Sequence, residues 1–384
     1  MSAKTDKTLY TEFDYLSRGQ EFAADKFELF KFDSVDDNPI ELYNDDFVVK
    51  VNADVSLEDL DTYLKPFSKT VNIFSSAEYS LSRVLGEVRD SLEQKSVLGL
   101  TVQGLNGEVS KCGGQVIKNV AGYDLRKLYL GSFNSIQVIK SAYLKLEKLP
   151  MLKMKLQAAF EDLSEIDFEL LCKTFAFDFN NQDTAVKLKF HSDFSVSLTI
   201  ELLGSPDLLE MRKHRLSKEL PYEFISEVET YNKPYFNPNS FHAYYYLKRS
   251  DLKSYSEALI RVLDDLEVNP EAYGANIFSD VSEIPRRVDL NIDLFKSCLS
   301  FESKPYIFRA FHEIDAVDEL YRLYKPVIRI APVTYENRVI ERDLNSLIKS
   351  DELALIKALK LKYDPENVLN PGVLCNVERK ACSH

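Results

Sequence analysis

The chain has 384 residues, 45% of them hydrophobic, and a formal net charge of −13. This length and apolar content predict a sizeable core and two domains. The acidic balance argues against nucleic acid as a partner, because binding a phosphate backbone needs a dominant basic surface. The N-terminus lacks an apolar signal segment and no apolar run is long enough to span a bilayer, so we expect a cytoplasmic protein without a membrane span.

The cysteines and histidines favour neither a disulfide framework nor a metal site. The five cysteines are widely spaced with no CxxC pair, and the five histidines are scattered without an acidic cluster. Arg286, Arg287 and Arg309 are candidate clamps for a substrate carboxylate, with salt bridges to nearby acids as the favoured alternative. We assign no catalytic residue and no metal ligand.

The first predicted elements form a strand, a helix and a second strand. Residues 1–38 are polar and predict a loosely packed arm. Residues 47–51 and 70–74 predict strands, and Ser56 begins the helix between them as an N-cap, with Asp59 three positions later. One face of this helix is apolar and carries Leu57, Leu60 and Leu64.

Residues 75–96 predict a polar helix, and residues 97–106 and 108–115 predict a hairpin. The Asn106-Gly107 dipeptide at the hairpin tip is typical of a type I′ turn.

The stretch from residue 111 to residue 139 concentrates glycine and positive charge. Between residues 109 and 146 there are six cations and one acid, Asp124, in a chain that is acidic as a whole. Glycines permit tight turns and close approach of a ligand, so this stretch favours an anion such as a phosphate. A pair of surface turns with solvated lysines is the alternative. Residues 124–130 predict a short helix with Leu125, Leu128 and Tyr129 facing the core and Gly131 at its end.

The remaining elements predict a second domain and a C-terminal return. Strands are expected at 135–139 and 142–149 before a boundary at Pro150, and residues 151–330 predict an α+β domain. Its strands are expected at 153–160, 185–190, 194–203, 243–247, 288–292 and 306–308, and its helices at 163–176, 207–219 and 251–266. Residues 231–240 form a loop that either covers a cleft or lies on the surface. A final helix is expected at 352–361.

Two motifs carry a family resemblance. Residues 118–132, KNVAGYDLRKLYLGS, and residues 363–372, YDPENVLNPG, resemble the FAD-linked oxidases with a vanillyl-alcohol-oxidase-type (PCMH-type) flavin domain, and most of all the E-type subunits of glycolate oxidase. The resemblance implies an α+β fold: a PCMH-type FAD-binding domain of two α/β subdomains in 1–150, an α+β cap or substrate domain in 151–330, and a C-terminal segment, 331–384, that returns to the flavin domain.

The resemblance also implies a function. It indicates a subunit of an FAD-dependent oxidoreductase that acts on the CH–OH group of a small 2-hydroxy acid such as glycolate. Such a subunit works with other glycolate-oxidase-type subunits, either in the cytoplasm or held at the inner membrane through them. The residues it assigns to FAD are Lys118, Asn119, Gly122, Tyr123, Asp124, Gly131, Ser132, Ile139, Asn370 and Gly372.

The sequence departs from this family at three places. Gly19 is the only glycine before Gly86, so the early glycine-rich phosphate loop is missing, and residues 75–96 lack the expected Gly-Gly run. Residues 134–137, NSIQ, replace a Gly-Thr-Leu-Gly turn. Two interpretations therefore stay open: a subunit that retains FAD, with Lys111 and Lys118 replacing the loop if it acts alone, or a structural subunit that has lost FAD.

Overall fold

A computed structural model describes residues 8–10, 27–29, 38–87, 91–116, 124–175, 183–190, 195–235, 241–246, 290–293, 298–303, 327–330, 350–367 and 369–370. The predicted helix at 251–266 and strand at 306–308 lie outside these residues. The chain divides into two compact units. The first comprises Met1–Leu149, Pro234–Asn239 and Arg329–His384, and the second comprises Pro150–Lys233 and Ser240–Ile328. The first unit therefore contains both ends of the chain. The flavin-binding and substrate-cap roles expected of the domains stay predictions.

The first unit contains a six-stranded sheet in which every pairing is antiparallel. Five strands follow the order β3-β4-β8-β6-β7, and β5 also pairs with β8. The strands are β3 (Ile40–Tyr43), β4 (Val48–Asn52), β5 (Lys69–Val71), β6 (Val97–Gln103), β7 (Val109–Gly113) and β8 (Val138–Lys148). Two shorter strands, β1 (Thr8–Tyr10) and β2 (Phe27–Leu29), form a separate parallel pair. The central strand β8 thus carries the segment that follows the glycine-rich stretch.

Helix α1 (Leu57–Leu64) confirms the predicted capping. The Ser56 side chain accepts a hydrogen bond from the Asp59 backbone amide at 3.0 Å, which satisfies a donor that the first turn otherwise leaves unpaired. The apolar face of α1 is fully buried against the sheet. Its buried residues are Leu57, Leu60 and Leu64.

The hairpin of β6 and β7 is confirmed, but its turn is not type I′. The Gly104 carbonyl accepts from the Gly107 amide, the Gly104 amide donates to the Glu108 carbonyl, and within the loop only Gly107 has positive φ, at 80°. A type I′ turn needs positive φ at both central residues. The loop is instead a three-residue connection in which Gly107 supplies the left-handed position after a type I turn.

The polar helix that we predicted at 75–96 is wrong for the described residues, 75–87 and 91–96, because residues 75–80 are not helical. The described residues of this stretch contain two short helices, α2 (Leu81–Glu87) and α3 (Ser91–Ser96), and all seven residues of α2 are buried. Its charged residues are paired inside the unit. Arg83 lies over the Tyr79 ring at 3.4 Å and donates to Glu87 at 3.2 Å. Burial of these polar side chains depends on partners that sequence periodicity does not reveal.

Helix α4 (Arg126–Tyr129) and the strand β8 follow the hairpin in the chain. Tyr129 is buried, but Leu125 is 52% exposed, so the expectation that Leu125 faces the core is wrong. The two strands predicted at 135–139 and 142–149 are one strand of eleven residues, β8. The strand begins at Val138 because residues 131–137, which precede it, form a turn.

The second unit contains most of an eight-stranded sheet with the order β12-β9-β11-β10-β14-β15-β13-β16. Its strands are β9 (Leu152–Phe160), β10 (Thr184–Phe190), β11 (Val196–Gly204), β12 (Ile225–Thr230), β13 (Phe241–Tyr246), β14 (Leu290–Asp293), β15 (Cys298–Ser303) and β16 (Val327–Ile330). The helices α5 (Phe168–Thr174) and α6 (Pro206–Glu219) belong to the same unit. Strands β9, β10 and β11 confirm three predicted strands. The predicted helix at 163–176 is instead a short 3-10 turn followed by α5, which Asp167 caps.

The last described helix, α7 (Ser350–Tyr363), confirms the helix predicted near the C-terminus and extends it at both ends. It belongs to the first unit.

Candidate functional site

The residues assigned to FAD fall into two groups. Lys118, Asn119, Gly122, Tyr123 and Gly372 lie outside the described residues. The structure describes the other five, which are Asp124, Gly131, Ser132, Ile139 and Asn370. Four of these five surround one buried turn, residues 131–137, and Asp124 lies before it on the surface.

Asp124 is an ion-pair residue at the start of α4. Its carboxylate accepts two hydrogen bonds from Arg126, at 2.7 and 3.0 Å, and Arg126 also donates to the Val97 carbonyl. The hydrogen bond from Arg126 holds the pKa of Asp124 below its usual value. The two hydrogen bonds to Asp124 and the one to Val97 hold Arg126 at the start of β6.

The turn after α4 has an unusual backbone. Gly131, Phe133 and Asn134 have φ values of 70°, 53° and 52°. A glycine takes such values without strain and an asparagine tolerates them, but a buried phenylalanine at positive φ is uncommon. Every residue from 129 to 142 is buried, so the surrounding structure holds this backbone in place.

The backbone amides of this turn are already used inside the unit. Gly131 and Phe133 donate to Leu85 and Gly86 of α2, at 3.1 and 2.8 Å, and Ser132 donates to Tyr129. A phosphate group is normally held by free backbone amides at a turn or helix start. These three amides therefore do not offer the cradle that the resemblance implied.

The Asn134 side chain fills the centre of the turn. Its Nδ2 donates to the carbonyl and the hydroxyl of Ser82, at 3.2 and 3.0 Å, and its Oδ1 accepts from the Ile139 amide at 3.2 Å. Gly86 faces the same amide: a Cβ added there would lie 3.3 Å from Asn134 Nδ2. Asn134 thus stands where the family has bare backbone, and it joins the turn to α2 and β8.

The C-terminal segment binds the other side of the turn through Lys360. The Lys360 ammonium donates to the Ser135 carbonyl at 2.8 Å, to Asp364 at 2.6 Å and to the Leu369 carbonyl. Asp364 also accepts from the Leu369 amide at 2.8 Å. The Lys360 and Asp364 side chains are 2% and 1% exposed, so this is a buried ion pair whose remaining positions are hydrogen-bonded.

Asn370 of the Asn-Pro-Gly motif contacts the same turn. Its Nδ2 donates to the carbonyls of Phe133 and Asn134, at 3.0 and 3.3 Å. The second motif therefore contacts the residues that directly follow the first motif, despite more than two hundred residues between the two motifs. We call residues 131–137, with Lys360, Asp364 and Asn370, the motif junction.

Three buried polar atoms in or beside the motif junction have no hydrogen-bond partner within the part of the chain that the structure describes. They are Gln103 Oε1, Ser135 Oγ and Gln137 Oε1. Gln103 pairs with Val138 across β6 and β8, next in the chain to Gln137. Lys140, 7% exposed, follows on β8.

Two titratable side chains lie close to the base of the hairpin and α4. Burial, together with the smaller effects of neighbouring Tyr363 and Cys112, raises the pKa of Tyr129 to about 12. Burial likewise raises the pKa of Cys112. Both groups are therefore neutral near pH 7, and the Cys112 thiol is a weak nucleophile.

The structure describes few of the other residues that we considered for a functional role. His214 is exposed on α6. Arg286, Arg287 and Arg309 lie outside the described residues. Among the described residues, no group of His, Cys, Asp or Glu side chains could hold a metal ion, and no helix is long and apolar enough to cross a membrane.

Comparison with solved structures defines the class of fold. Xylooligosaccharide oxidase from Myceliophthora thermophila C1, solved with xylobiose, is 12% identical with a TM-score of 0.57, and the match covers 88% of this chain and 80% of that chain. An alkyldihydroxyacetonephosphate synthase is 11% identical with a TM-score of 0.53, covering 86% and 66%. The chain has the α+β fold of FAD-binding PCMH-type oxidases, as the sequence predicted.

At the sequence level the chain is similar to glycolate oxidase subunit GlcD of Bacillus subtilis (strain 168). The two are 25% identical over 299 residues, which cover 72% of this chain and 62% of GlcD. The resemblance to FAD-linked oxidases is thereby confirmed, although this relative is a D subunit and we expected an E-type one. No family model matches the chain.

The described residues of the turn do not fit a phosphate held by backbone amides. Three amides of the turn donate within the unit and the Asn134 side chain fills its centre, whereas Gln103 and Gln137 each have an Oε1 without a partner among the described residues. Sequence reasoning missed Lys360, Asp364, Gln103 and Gln137. The spacing of Lys360 and Asp364, four apart on a helix, was a usable signal for the ion pair.

Proposed function

We propose that this chain is a subunit of an FAD-linked oxidoreductase that acts on the CH–OH group of a small 2-hydroxy acid such as glycolate. The observation that carries the proposal is the similarity to GlcD over 72% of the chain. The contact of Asn370 with Phe133 and Asn134 supports it, because it brings both family motifs to one place in the first unit.

Within this proposal the ten residues assigned to FAD keep that role, and the described ones act mainly by positioning. Lys360 and Asn370 hold the turn between α4 and β8 from one side, and α2 holds it from the other. FAD, when bound, supplies the acceptor for the hydrogen of the CH–OH carbon. A buried turn that is held by hydrogen bonds on both sides keeps a bound group in one orientation.

We also propose partners and a location on the same basis. The similarity to a named subunit of glycolate oxidase supports assembly with other subunits of that kind, in the cytoplasm or at the inner membrane through them. A partner would supply the redox centre or complete the site.

A second candidate is a structural subunit that does not hold FAD. It is favoured by the spent amides of Gly131, Ser132 and Phe133 and by the Asn134 side chain at the centre of the turn. In this case the chain would support a complex whose flavin is in another subunit.

Flavin absorbance of the purified chain separates the two candidates. If the first candidate is correct, we expect the purified chain to contain bound FAD. The Gly122→Val variant should lose the FAD. The matched control Gly114→Val should retain it, because a Cβ added at Gly114 meets open space. Absence of flavin from the chain alone and from its complex would reject the first candidate. FAD retained in Gly122→Val would reject the assignment of Gly122 to the cofactor.

Activity is tested with glycolate-dependent dye reduction. The first candidate predicts turnover that needs partner subunits, measured by adding them to the purified chain. Robust turnover by the chain alone would refute the proposed dependence on partners. No turnover with any small 2-hydroxy acid, in a complex that contains flavin, would refute the substrate class.

A further inference from the structure

Strand β12 is the first strand in the order of the eight-stranded sheet of the second unit. It pairs with β9 on one side, and among the described residues no strand pairs with its other side. Five of its six residues are exposed, including Ile225 at 78% and Val228 at 49%. We call residues 225–230 the β12 edge. An exposed sheet edge with apolar side chains is a place where another strand can add to the sheet.

The backbone of β12 points away from the sheet at every second residue. The Tyr231 amide donates to the Met151 carbonyl at 3.1 Å, at the position that directly follows the last pair of the β9–β12 ladder. In an antiparallel ladder, residues that bond to the neighbouring strand alternate with residues whose backbone groups point outward. The outer side of the β12 edge therefore presents the amides and carbonyls of Ser226, Val228 and Thr230.

The β12 edge lacks three features that commonly protect a sheet edge. Its ladder with β9 consists of six consecutive pairs without a bulge. Its sequence, ISEVET, contains neither a proline nor a lysine. Bulges, prolines and lysines prevent a further strand from pairing with an edge, so their absence leaves the β12 edge open to pairing.

The apolar layer of the sheet stops at Val228. Met154 lies directly opposite Val228 on β9 and is 1% exposed, whereas Val228 itself is half exposed. Paired residues of neighbouring strands place their side chains on the same face of a sheet. A further strand with an apolar residue opposite Val228 would therefore cover it and extend the apolar layer.

The other face of the β12 edge carries acids. Glu227 and Glu229 are directly opposite Lys155 and Lys153 of β9. The Glu229 carboxylate lies 2.8 Å from the Lys153 ammonium and 3.0 Å from the Lys155 ammonium. A strand of acids thus borders a strand of cations on this face. Cations on a further strand would repeat the arrangement on the outer side of the acids, because opposite charges across a ladder stabilise it.

A second copy of the chain is a poor occupant of the β12 edge. A two-fold pairing of β12 with itself, centred on Val228, would place Glu227 of one copy opposite Glu229 of the other. Like charges directly opposite each other destabilise a ladder. The net charge of −13 also opposes self-association and favours a basic partner.

We infer that the β12 edge binds an extended segment of another protein that carries lysine or arginine at every second position, with apolar β-branched residues between them. The segment adds one strand to the sheet. Its backbone bonds the outward groups of Ser226, Val228 and Thr230, and its cations face Glu227 and Glu229. This inference is independent of the proposed FAD-linked function.

Fluorescence anisotropy of a labelled peptide, titrated with the purified full chain, tests the inference. The probe is the peptide Thr-Lys-Val-Lys-Val-Lys-Thr with blocked termini, and the matched probe has glutamate in place of each lysine. We expect saturable binding of the lysine peptide. The glutamate peptide should bind about tenfold more weakly or worse, because every cross-strand charge pair becomes repulsive.

Val228→Pro tests whether binding needs strand pairing in addition to charge. Proline removes an amide that points outward and leaves the hydrogen bonds to β9 in place, so the variant should fold. Its affinity for the lysine peptide should fall about tenfold or more. The matched control Val228→Thr keeps the amide and the β-branched shape and should bind as the wild type does.

Glu227→Lys tests the charge. It should reverse the preference between the two peptides, whereas Glu58→Lys, the same change at an exposed position of α1, should leave the preference as it is. Circular dichroism melting establishes that each variant is folded. If Val228→Pro fails to fold, the reversal in Glu227→Lys still decides the inference.

Three results would overturn the inference. They are no binding of the lysine peptide, equal affinity for the two peptides, and wild-type affinity in folded Val228→Pro. Light scattering of the chain alone adds a fourth: a dimer that Val228→Pro dissociates would mean that a second copy occupies the β12 edge. Binding that depends on the lysines, on the Val228 amide and on Glu227 would support the inference.

Discussion

Replacement of Lys360 by methionine should destabilise the first unit substantially. The methionine keeps most of the apolar stem, so the change mainly removes the ammonium and its contacts with Ser135, Asp364 and Leu369. Asp364 then stays buried without its ammonium partner Lys360, and removal of one partner from a buried pair costs about 3 to 5 kcal/mol. Because Asp364 keeps the hydrogen bond from the Leu369 amide, we expect a value near the lower end, about 3 kcal/mol.

Urea unfolding followed by far-ultraviolet circular dichroism measures this loss. The matched control is Lys187→Met, which removes an ion pair to Glu201 of similar length, 2.7 Å, but with side chains 40% and 22% exposed. A partly solvated pair contributes about 1 kcal/mol or less. Amide hydrogen exchange should also accelerate across the motif junction in Lys360→Met and not in the control. A loss below about 1 kcal/mol in Lys360→Met would refute the idea that this pair holds the junction together.

Three further predictions concern the same unit. Asn134→Ala removes three hydrogen bonds of a side chain that is 1% exposed and should lower the free energy of unfolding by about 2 kcal/mol. Because the pKa of Tyr129 is raised to about 12 in the folded state, its contribution to stability should be complete below about pH 10 and lost as the pH rises towards 12. Tyr129→Phe should remove this dependence. Gly107→Ala should cost about 1 kcal/mol, since φ there is 80°.

Urea unfolding with matched controls checks these three. Asn44→Ala, Tyr63→Phe and Gly114→Ala make the same substitutions at positions that are exposed or have open space and no positive φ, and each should change stability little. Equal losses in a variant and its control would contradict the corresponding prediction. For Tyr129 the decisive result is the alkaline slope: an unchanged slope in Tyr129→Phe would mean that other groups cause it.

Local sequence signals determined several elements of the first unit. The cap of α1 follows from Ser56 and Asp59, since a side-chain oxygen and an amide three residues apart complete the bond without help from the rest of the chain. The position of the β6–β7 hairpin follows from two β-rich segments around Asn106-Gly107. The two family motifs also predicted the α+β PCMH-type fold, because short motifs with fixed spacing are recognisable without knowledge of packing.

Other features depended on which groups meet in space. The helix α2 is polar in sequence and yet buried. This is possible because Arg83 forms an ion pair with Glu87 and lies over the Tyr79 ring, and because the residues next to Arg83 in α2 contact the motif junction. The loop at Gly107 has a type I turn, although its dipeptide is typical of type I′, because the loop takes one more residue than a two-residue turn.

The candidate site shows most clearly which features the sequence determined and which only the tertiary structure decided. The sequence by itself determined where the motifs lie and that glycine and positive charge concentrate near them. Only the tertiary structure decided that two amides of the turn donate to α2, that Lys360 donates to Ser135, and that the Oε1 atoms of Gln103 and Gln137 are buried without a partner among the described residues. Whether a polar group is paired depends on atoms that are distant in sequence, and local periodicity carries no information about them.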